Sequence, residues 1–180
     1  MQLQRAAGRY GNYFKIPSDA IKGNYNDWII SDSLSNSTHY AIIGYKGSNT
    51  SVTIPDSIDN KMVSLSVHES GISIFNRSLI NVYPESTGHI VTDVVVGNYV
   101  TSYSLDMENS TDTLVYGNTS AYMLFMFSSN LKTISWNIPN SITDMYGTFY
   151  NCRNLTGNIP NIPNSVTNIS YTFSYCINLA

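Results

Sequence analysis

The chain has 180 residues and a formal net charge of −3, and only 12% of its residues are charged, about half the usual share for a soluble domain. Its nine basic residues are scattered from Arg5 to Arg153, so the basic footprint with which nucleic-acid binders displace counterions is missing. No run approaches the roughly 18 consecutive apolar residues of a membrane-spanning helix, which speaks against membrane insertion, and the length accommodates one good core or two small ones.

Residues 1–39 form a lead segment rich in Gly, Tyr and Asn, read as an N-terminal arm or attachment segment or else a loose terminus. Gly8, Gly11 and Gly23 interrupt any long helix. Pro17-Ser18-Asp19-Ala20-Ile21 suits one helical turn, and Asn26-Asp27-Trp28-Ile29-Ile30 predicts a short strand. The first ten residues carry no apolar signal core, which predicts a chain not exported by the usual route, although its composition is that of an environment-facing protein. Two readings accommodate both: a phage virion protein, made in the cytoplasm without a signal, or a fragment or mature form whose signal was removed.

Residues 40–112 carry β signals. Val52-Thr53-Ile54, Met62-Val63-Ser64-Leu65 and the run Ile90 to Val96 are rich in β-branched residues and bounded by Gly, Pro, Asn and Ser. A second run, Tyr99 to Leu105, follows Gly97-Asn98, which predicts a tight hairpin because both residue types tolerate positive φ.

Residues 113–180 contain a sequence written twice. Ile138-Pro139-Asn140-Ser141-Ile142-Thr143 returns as Ile162-Pro163-Asn164-Ser165-Val166-Thr167, and Thr148-Phe149-Tyr150-Asn151-Cys152-Arg153-Asn154-Leu155 returns as Thr172 to Leu179, each 24 residues on. A worn third copy places Phe125 under Phe149 and Leu131 under Leu155, with Ser128 in the cysteine slot. A fixed period predicts rungs that bury their apolar residues only by stacking, and hence a short solenoid. The expected repeat core is Phe125, Leu131, Phe149, Cys152, Leu155, Phe173, Cys176 and Leu179, joined by Ile142, Met145, Ile159, Val166 and Ile169. Asn side chains are expected to bond backbone at the turns. The last residues, Leu179-Ala180, leave a terminal rung uncapped, which predicts a partner: a homo-oligomer, a larger assembly, or sequence removed by truncation.

The string Ile-Pro-Asn-Ser-Val-Thr, then Phe with Cys three positions later and Asn-Leu behind it, resembles the BspA-like leucine-rich repeats over 138–179. Tyr40 to Gly47 followed by Val52 to Val63 is similar to the module that often leads into such repeats. The resemblance implies a mainly β chain in which a β-rich module (40–112) precedes a short leucine-rich-repeat-type β-solenoid (113–180). It also implies a non-catalytic recognition surface displayed on cells or particles, and it carries no catalytic residues. Between about 64 and 112 no clean repeat survives, and Phe75-Asn76-Arg77-Ser78-Leu79 is at most a remnant.

The chemistry-bearing residues form no catalytic pattern. His39, His68 and His89 belong to no HExxH, CxxC or GxSxG motif; the expectation is no enzyme and no cofactor or metal. Asp56 and Asp59, and the acidic patch Asp106 to Asp112, lack the spacing of an EF-hand loop. Cys152 and Cys176 occupy equivalent slots about 4.8 Å apart, a distance that a disulfide accepts although the parallel Cβ vectors disfavour it; the expectation is inert buried thiols. Trp136, Tyr146, Tyr150, Tyr171 and Tyr175 stand in a region whose charged residues are Lys132, Asp144 and Arg153. Rings flanked by amides and hydroxyls suit sugar faces and protein interfaces alike, or they pack between rungs. Three functional readings follow: a virion surface component (fibre, tail or capsid-attached) contacting virion partners or a host-surface glycan or protein; a bacterial cell-surface adhesin; and a glycan-acting enzyme, which would need two converging carboxyls.

Overall fold

The computed structural model describes residues 27–31, 38–65, 72–81, 83–97, 101–102, 104–105, 114–115 and 120–180. The predicted helical turn at Pro17, most of the lead segment, His68 and the acidic patch at 106–112 lie outside them. Among the described residues, β-branched runs dominate and the fold is mainly β. Strand β1 (Trp28–Ser31) pairs antiparallel with β2 (His39–Tyr45). β3 spans Ser51–Ile54, β4 Ser57–Ile58 and β5 Lys61–Leu65. β5 runs parallel to β2 and antiparallel to β4, giving the order β1-β2-β5-β4 in a sheet curled into a half-barrel. The loop between β4 and β5 is Asp59-Asn60, with φ of 47° and 64°. That is the two-residue, positive-φ hairpin turn whose twist matches the strands it joins.

A second, small sheet is wholly parallel. β6 (Asp93–Val96) lies between β3 and β10 (Thr133–Trp136), with Ser51, Asp93 and Thr133 in register. Short strands β7 (Thr101–Ser102), β8 (Ser104–Leu105) and β9 (Leu114–Val115) complete the set: β7 adds to β5, and β8 pairs with β9. Asn98 lies outside the described residues, but the strands on either side of the predicted Gly97-Asn98 hairpin do not pair with each other: β6 pairs with β3 and β10, whereas β7 belongs to the other sheet. Gly97 serves a different need. A Cβ there would meet Asp56 Oδ1 at 2.5 Å and its amide nitrogen at 2.8 Å, a close approach that only glycine permits. The strand expected from Ile90 is also shorter, since Gly88–Ile90 forms a 3-10 turn.

The leucine-rich-repeat-type β-solenoid expected for 113–180 is not what the structure contains. A leucine-rich repeat needs a strand in every copy; the first copy has one, β10, and the second does not. Where β10 lies, the next copy has Gly157-Asn158-Ile159-Pro160, with Gly157 at φ 78°. Pro160 lacks the amide that a ladder requires. Beyond β10 the pairing is reduced to the isolated bridges Ser120↔Asp144 and Asp144↔Asn168.

The copies are instead strings of tight turns laid side by side. Within each, amides donate three residues back, as in Leu124→Ala121, Thr148→Met145 and Thr172→Ile169. Between copies, the amides of Ala121, Met123, Phe125 and Phe127 donate to the carbonyls of Asp144, Tyr146, Thr148 and Tyr150 at 2.7 to 3.0 Å. Met145, Gly147, Phe149 and Asn151 donate in the same way to Asn168, Ser170, Thr172 and Ser174. Left-handed residues recur in two slots: Met123, Gly147 and Tyr171 in one, Phe127, Asn151 and Tyr175 in the other.

Phenylalanines form the axis of the core. The rings of Phe75, Phe125, Phe149 and Phe173 stack at 6.1, 5.4 and 5.5 Å between successive centroids. One contiguous apolar cluster runs from Trp28 through both sheets to Cys176. Phe125, Leu131, Phe149, Cys152, Leu155 and Cys176 are buried in it; Phe173, Leu179 and Val166 are partly buried against it. Ile142 and Met145 are buried, whereas Ile159 and Ile169, expected inward, face outward. Ile159 belongs to the segment that fails to become a strand, and Ile169 lies on the outer face of the third copy.

Candidate functional site

The turns that stack the copies also set a row of aromatic rings on the surface. At the start of each copy a short polar side chain caps the backbone: Ser120 Oγ accepts from the amide of Tyr122 at 3.1 Å, Asp144 Oδ1 from Tyr146 at 2.9 Å and Asn168 Oδ1 from Ser170 at 3.1 Å. Asn168 Nδ2 further donates to Asp144 Oδ1 at 2.9 Å, tying the second and third caps together. These residue types hydrogen-bond the backbone two positions on, which is why they nucleate turns. The rings that follow are thereby held in fixed relation.

Tyr122 stacks on Tyr146 at 5.3 Å; Tyr146 meets Tyr171 edge-on at 5.5 Å. Tyr150 touches Tyr171 at 6.5 Å, Tyr175 at 5.3 Å and Phe127 at 5.5 Å, all edge-on. These geometries match the preference of aromatic quadrupoles for offset and edge contacts. Tyr146 and Tyr150 are half-buried, while Tyr171 and Tyr175 are 58% and 61% exposed. The structure thus brings together four of the five aromatics singled out in the sequence. Trp136 is elsewhere, 5% exposed and packed edge-on against Phe125 at 5.9 Å. The alternation Thr133-Ile134-Ser135-Trp136 carried that signal, because period 2 puts Ile134 and Trp136 on one face. Tyr122 and Phe127 were missed, although the offset of 24 places Tyr122 under Tyr146.

The cysteines are free and buried. Each thiol donates to the phenylalanine carbonyl of the preceding copy, Cys152 to Phe125 and Cys176 to Phe149, both at 3.0 Å. Burial pushes both thiols up from their ordinary pKa, which suppresses the thiolate and its reactivity. Asn130 Nδ2 donates to the His89 carbonyl and Asn178 Nδ2 to that of Arg153, both part of the backbone bonding at turns.

A second polar feature lies on the parallel sheet. Asp93 accepts hydrogen bonds from Thr133 Oγ1 at 2.6 Å and Thr92 Oγ1 at 2.7 Å. These two hydroxyls hold its carboxyl below the ordinary range, with lesser help from Ser51 and Lys132. His39 lies beside Thr38 and its pKa is lowered by burial. Among the described residues no three His, Cys, Asp or Glu side chains are grouped to hold a metal ion, and no helix is long and apolar enough to cross a membrane.

No family model matches the chain, and no match was found among curated proteins or solved structures.

Proposed function

We propose that this chain is a non-catalytic structural and recognition module, and that its setting is the surface of a phage virion, as a fibre, tail or capsid-attached component contacting virion partners or the host surface. The observation that carries the reading is the tyrosine row. Tyr171 and Tyr175 are large, exposed and held by ring contacts to Tyr146 and Tyr150. Rings fixed before binding contribute contact area at little further cost in entropy. The surroundings are nearly uncharged, so recognition there relies on rings, hydroxyls and amides rather than on ion pairs.

The test has two parts. Cross-linking and mass spectrometry on the native source should recover the chain with capsid or tail proteins; recovery from a bacterial outer surface would move the assignment to an adhesin that binds protein or glycan ligands. Tyr171→Ala and Tyr175→Ala should then weaken capture of the cross-linked partner at least tenfold with an unchanged unfolding midpoint. Wild-type affinity in both variants would remove the tyrosine row from the function.

A further inference from the structure

The outward face of the parallel sheet is a polar surface that the tyrosine row does not use. Alternation along β3, β6 and β10 buries Val52, Val94 and Ile134 and leaves two rows outside, Ser51, Asp93 and Thr133 in one, Thr53, Val95 and Ser135 in the other. By strand geometry each row spans about 9.6 Å, and the rows stand about 6.6 Å apart. An open depression of about 240 Å³ lies over them. The first row is a hydrogen-bonded unit. Thr133 Oγ1 donates to one oxygen of Asp93, while Thr92 Oγ1 and, at 3.4 Å, Ser51 Oγ donate to the other. An ionised carboxylate only accepts, so each hydroxyl hydrogen points at Asp93, and the row turns oxygen lone pairs outward. In the second row the hydroxyls of Thr53 and Ser135 have no hydrogen-bond partner among the described residues. They flank Val95, which is 49% exposed.

We propose that this face is a carbohydrate-binding site, which seats a neutral sugar ring with its hydroxyls over Ser51, Asp93 and Thr133 and its C–H face over Val95. It is a second site, and it rests neither on the tyrosine row nor on the virion setting. The acceptor row calls for a ligand that donates. The open hydroxyls of Thr53 and Ser135 call for one that both donates and accepts, and Val95 between them for one with an apolar patch. A sugar ring carries all three within one rigid outline, and the depression is smaller than the roughly 300 to 1,000 Å³ of sites for larger ligands. A metal ion fits less well, because one carboxylate falls short of the six to eight oxygen ligands that calcium takes, and no cluster of metal-ligating side chains is found among the described residues. A cationic side chain of a protein partner would compete with Lys132, whose positive charge already acts on Asp93. A nucleic acid would bring phosphates to a carboxylate.

The test is an NMR titration of the full isotope-labelled chain with the methyl glycosides of glucose, galactose, mannose and N-acetylglucosamine, each to about 100 mM, well above the millimolar dissociation constants of weak sites. At least one glycoside should shift the Val95 methyls and the amides of Thr53, Asp93 and Ser135 in a saturable way, and N-acetyl-lysine methylamide at the same concentration should not. Val95→Lys, at an exposed position, should abolish the response with the unfolding midpoint preserved. Thr53→Ala and Ser135→Ala should each weaken binding by about three- to tenfold, as the loss of one hydrogen bond does. Tyr171→Ala and Tyr175→Ala should leave the titration unchanged. No saturable shift at this face with any of the four glycosides overturns the proposal. So does tighter binding of the lysine derivative, which would give the face to a protein partner. A sugar response confined to the tyrosine rings refutes this site and leaves the recognition reading standing.

Discussion

Substituting Phe149 by Ala tests the structure where it is most specific. The side chain is fully buried, with Phe125 on one face at 5.4 Å and Phe173 on the other at 5.5 Å. Emptying such a site costs about 3 to 5 kcal/mol, the sum of lost transfer energy and an uncollapsed cavity, and that figure absorbs two stacking contacts of about 0.5 to 1.5 kcal/mol each. Phe173 has only one ring neighbour in the stack and is partly exposed. Full burial of a large apolar side chain is worth about 1.5 to 3 kcal/mol, so Phe173→Ala should cost only about 1 to 2. Urea unfolding of the full chain gives both numbers, with Trp136 fluorescence reporting the core beside Phe125. Equal midpoints for Phe149→Ala and wild type, or a Phe173 variant as damaged as the Phe149 one, would refute the stacked axis.

Four further outcomes follow from particular groups. The folded carboxyl of Asp93 is depressed by its threonine hydrogen bonds, so its contribution is present above the unfolded value of about 3.9 and is lost as pH falls through the lower folded value; Asp93→Asn should flatten the acid limb of stability below about pH 4, and an unchanged limb would contradict it. The Tyr83 hydroxyl is buried without a hydrogen-bond partner among the described residues, and burial together with Glu85 pushes its pKa up to about 12; Tyr83→Phe should be neutral or stabilising by up to about 1 kcal/mol, as read by thermal unfolding. Both thiols should resist alkylation at pH 8 in the folded chain and react on unfolding, with Cys176, the less buried, reacting before Cys152; rapid labelling of folded Cys152 would contradict its burial. Tyr171 has φ 58° in the slot that Gly147 occupies one copy earlier; Tyr171→Gly should leave stability within about 1 kcal/mol, because relief of roughly 1 to 2 kcal/mol of left-handed strain offsets the entropy of glycine.

The period of 24 was legible because it is spelled in the sequence, and the inter-copy hydrogen bonds follow it. What could not be read from the period was the kind of unit that repeats. Thr133-Ile134-Ser135-Trp136 has the alternation of a strand, and its counterpart 157–160 does not, so extrapolating one rung to the next fails where Gly157 and Pro160 enter. The parallel sheet was illegible for a different reason. Its strands pair across 42 and 40 residues, and nothing local records a partner at that distance, so the β-branched run before Gly97 suggested the nearest strand instead. At Asp59-Asn60 the local signal was present, since both types accept positive φ, but Gly97-Asn98 drew the hairpin assignment.

The tyrosine row lies at the boundary of what a sequence discloses. Composition shows many rings and few charges from residue 113 onward, but which rings face water depends on the turn geometry. In the second copy the two left-handed slots carry Gly147 and Asn151, the residue types that accept this conformation most readily. The third copy places Tyr171 and Tyr175 in the same slots, at φ 58° and 63°. Bulky side chains there cost roughly 1 to 2 kcal/mol each, and such strain persists only where the surroundings hold it. Here the holding groups are the carbonyls of Ser170, Thr172 and Ser174, each bonded to the second copy, and the ring contacts of Tyr171 and Tyr175 with Tyr150. Met123 and Phe127 stand in the same two slots of the first copy, at φ 57° and 59°, so bulky left-handed residues recur in these turns and do not by themselves mark a binding surface. What sets the third copy apart is that its two rings are 58% and 61% exposed, and it is this exposure, not the strain, on which the proposed recognition rests.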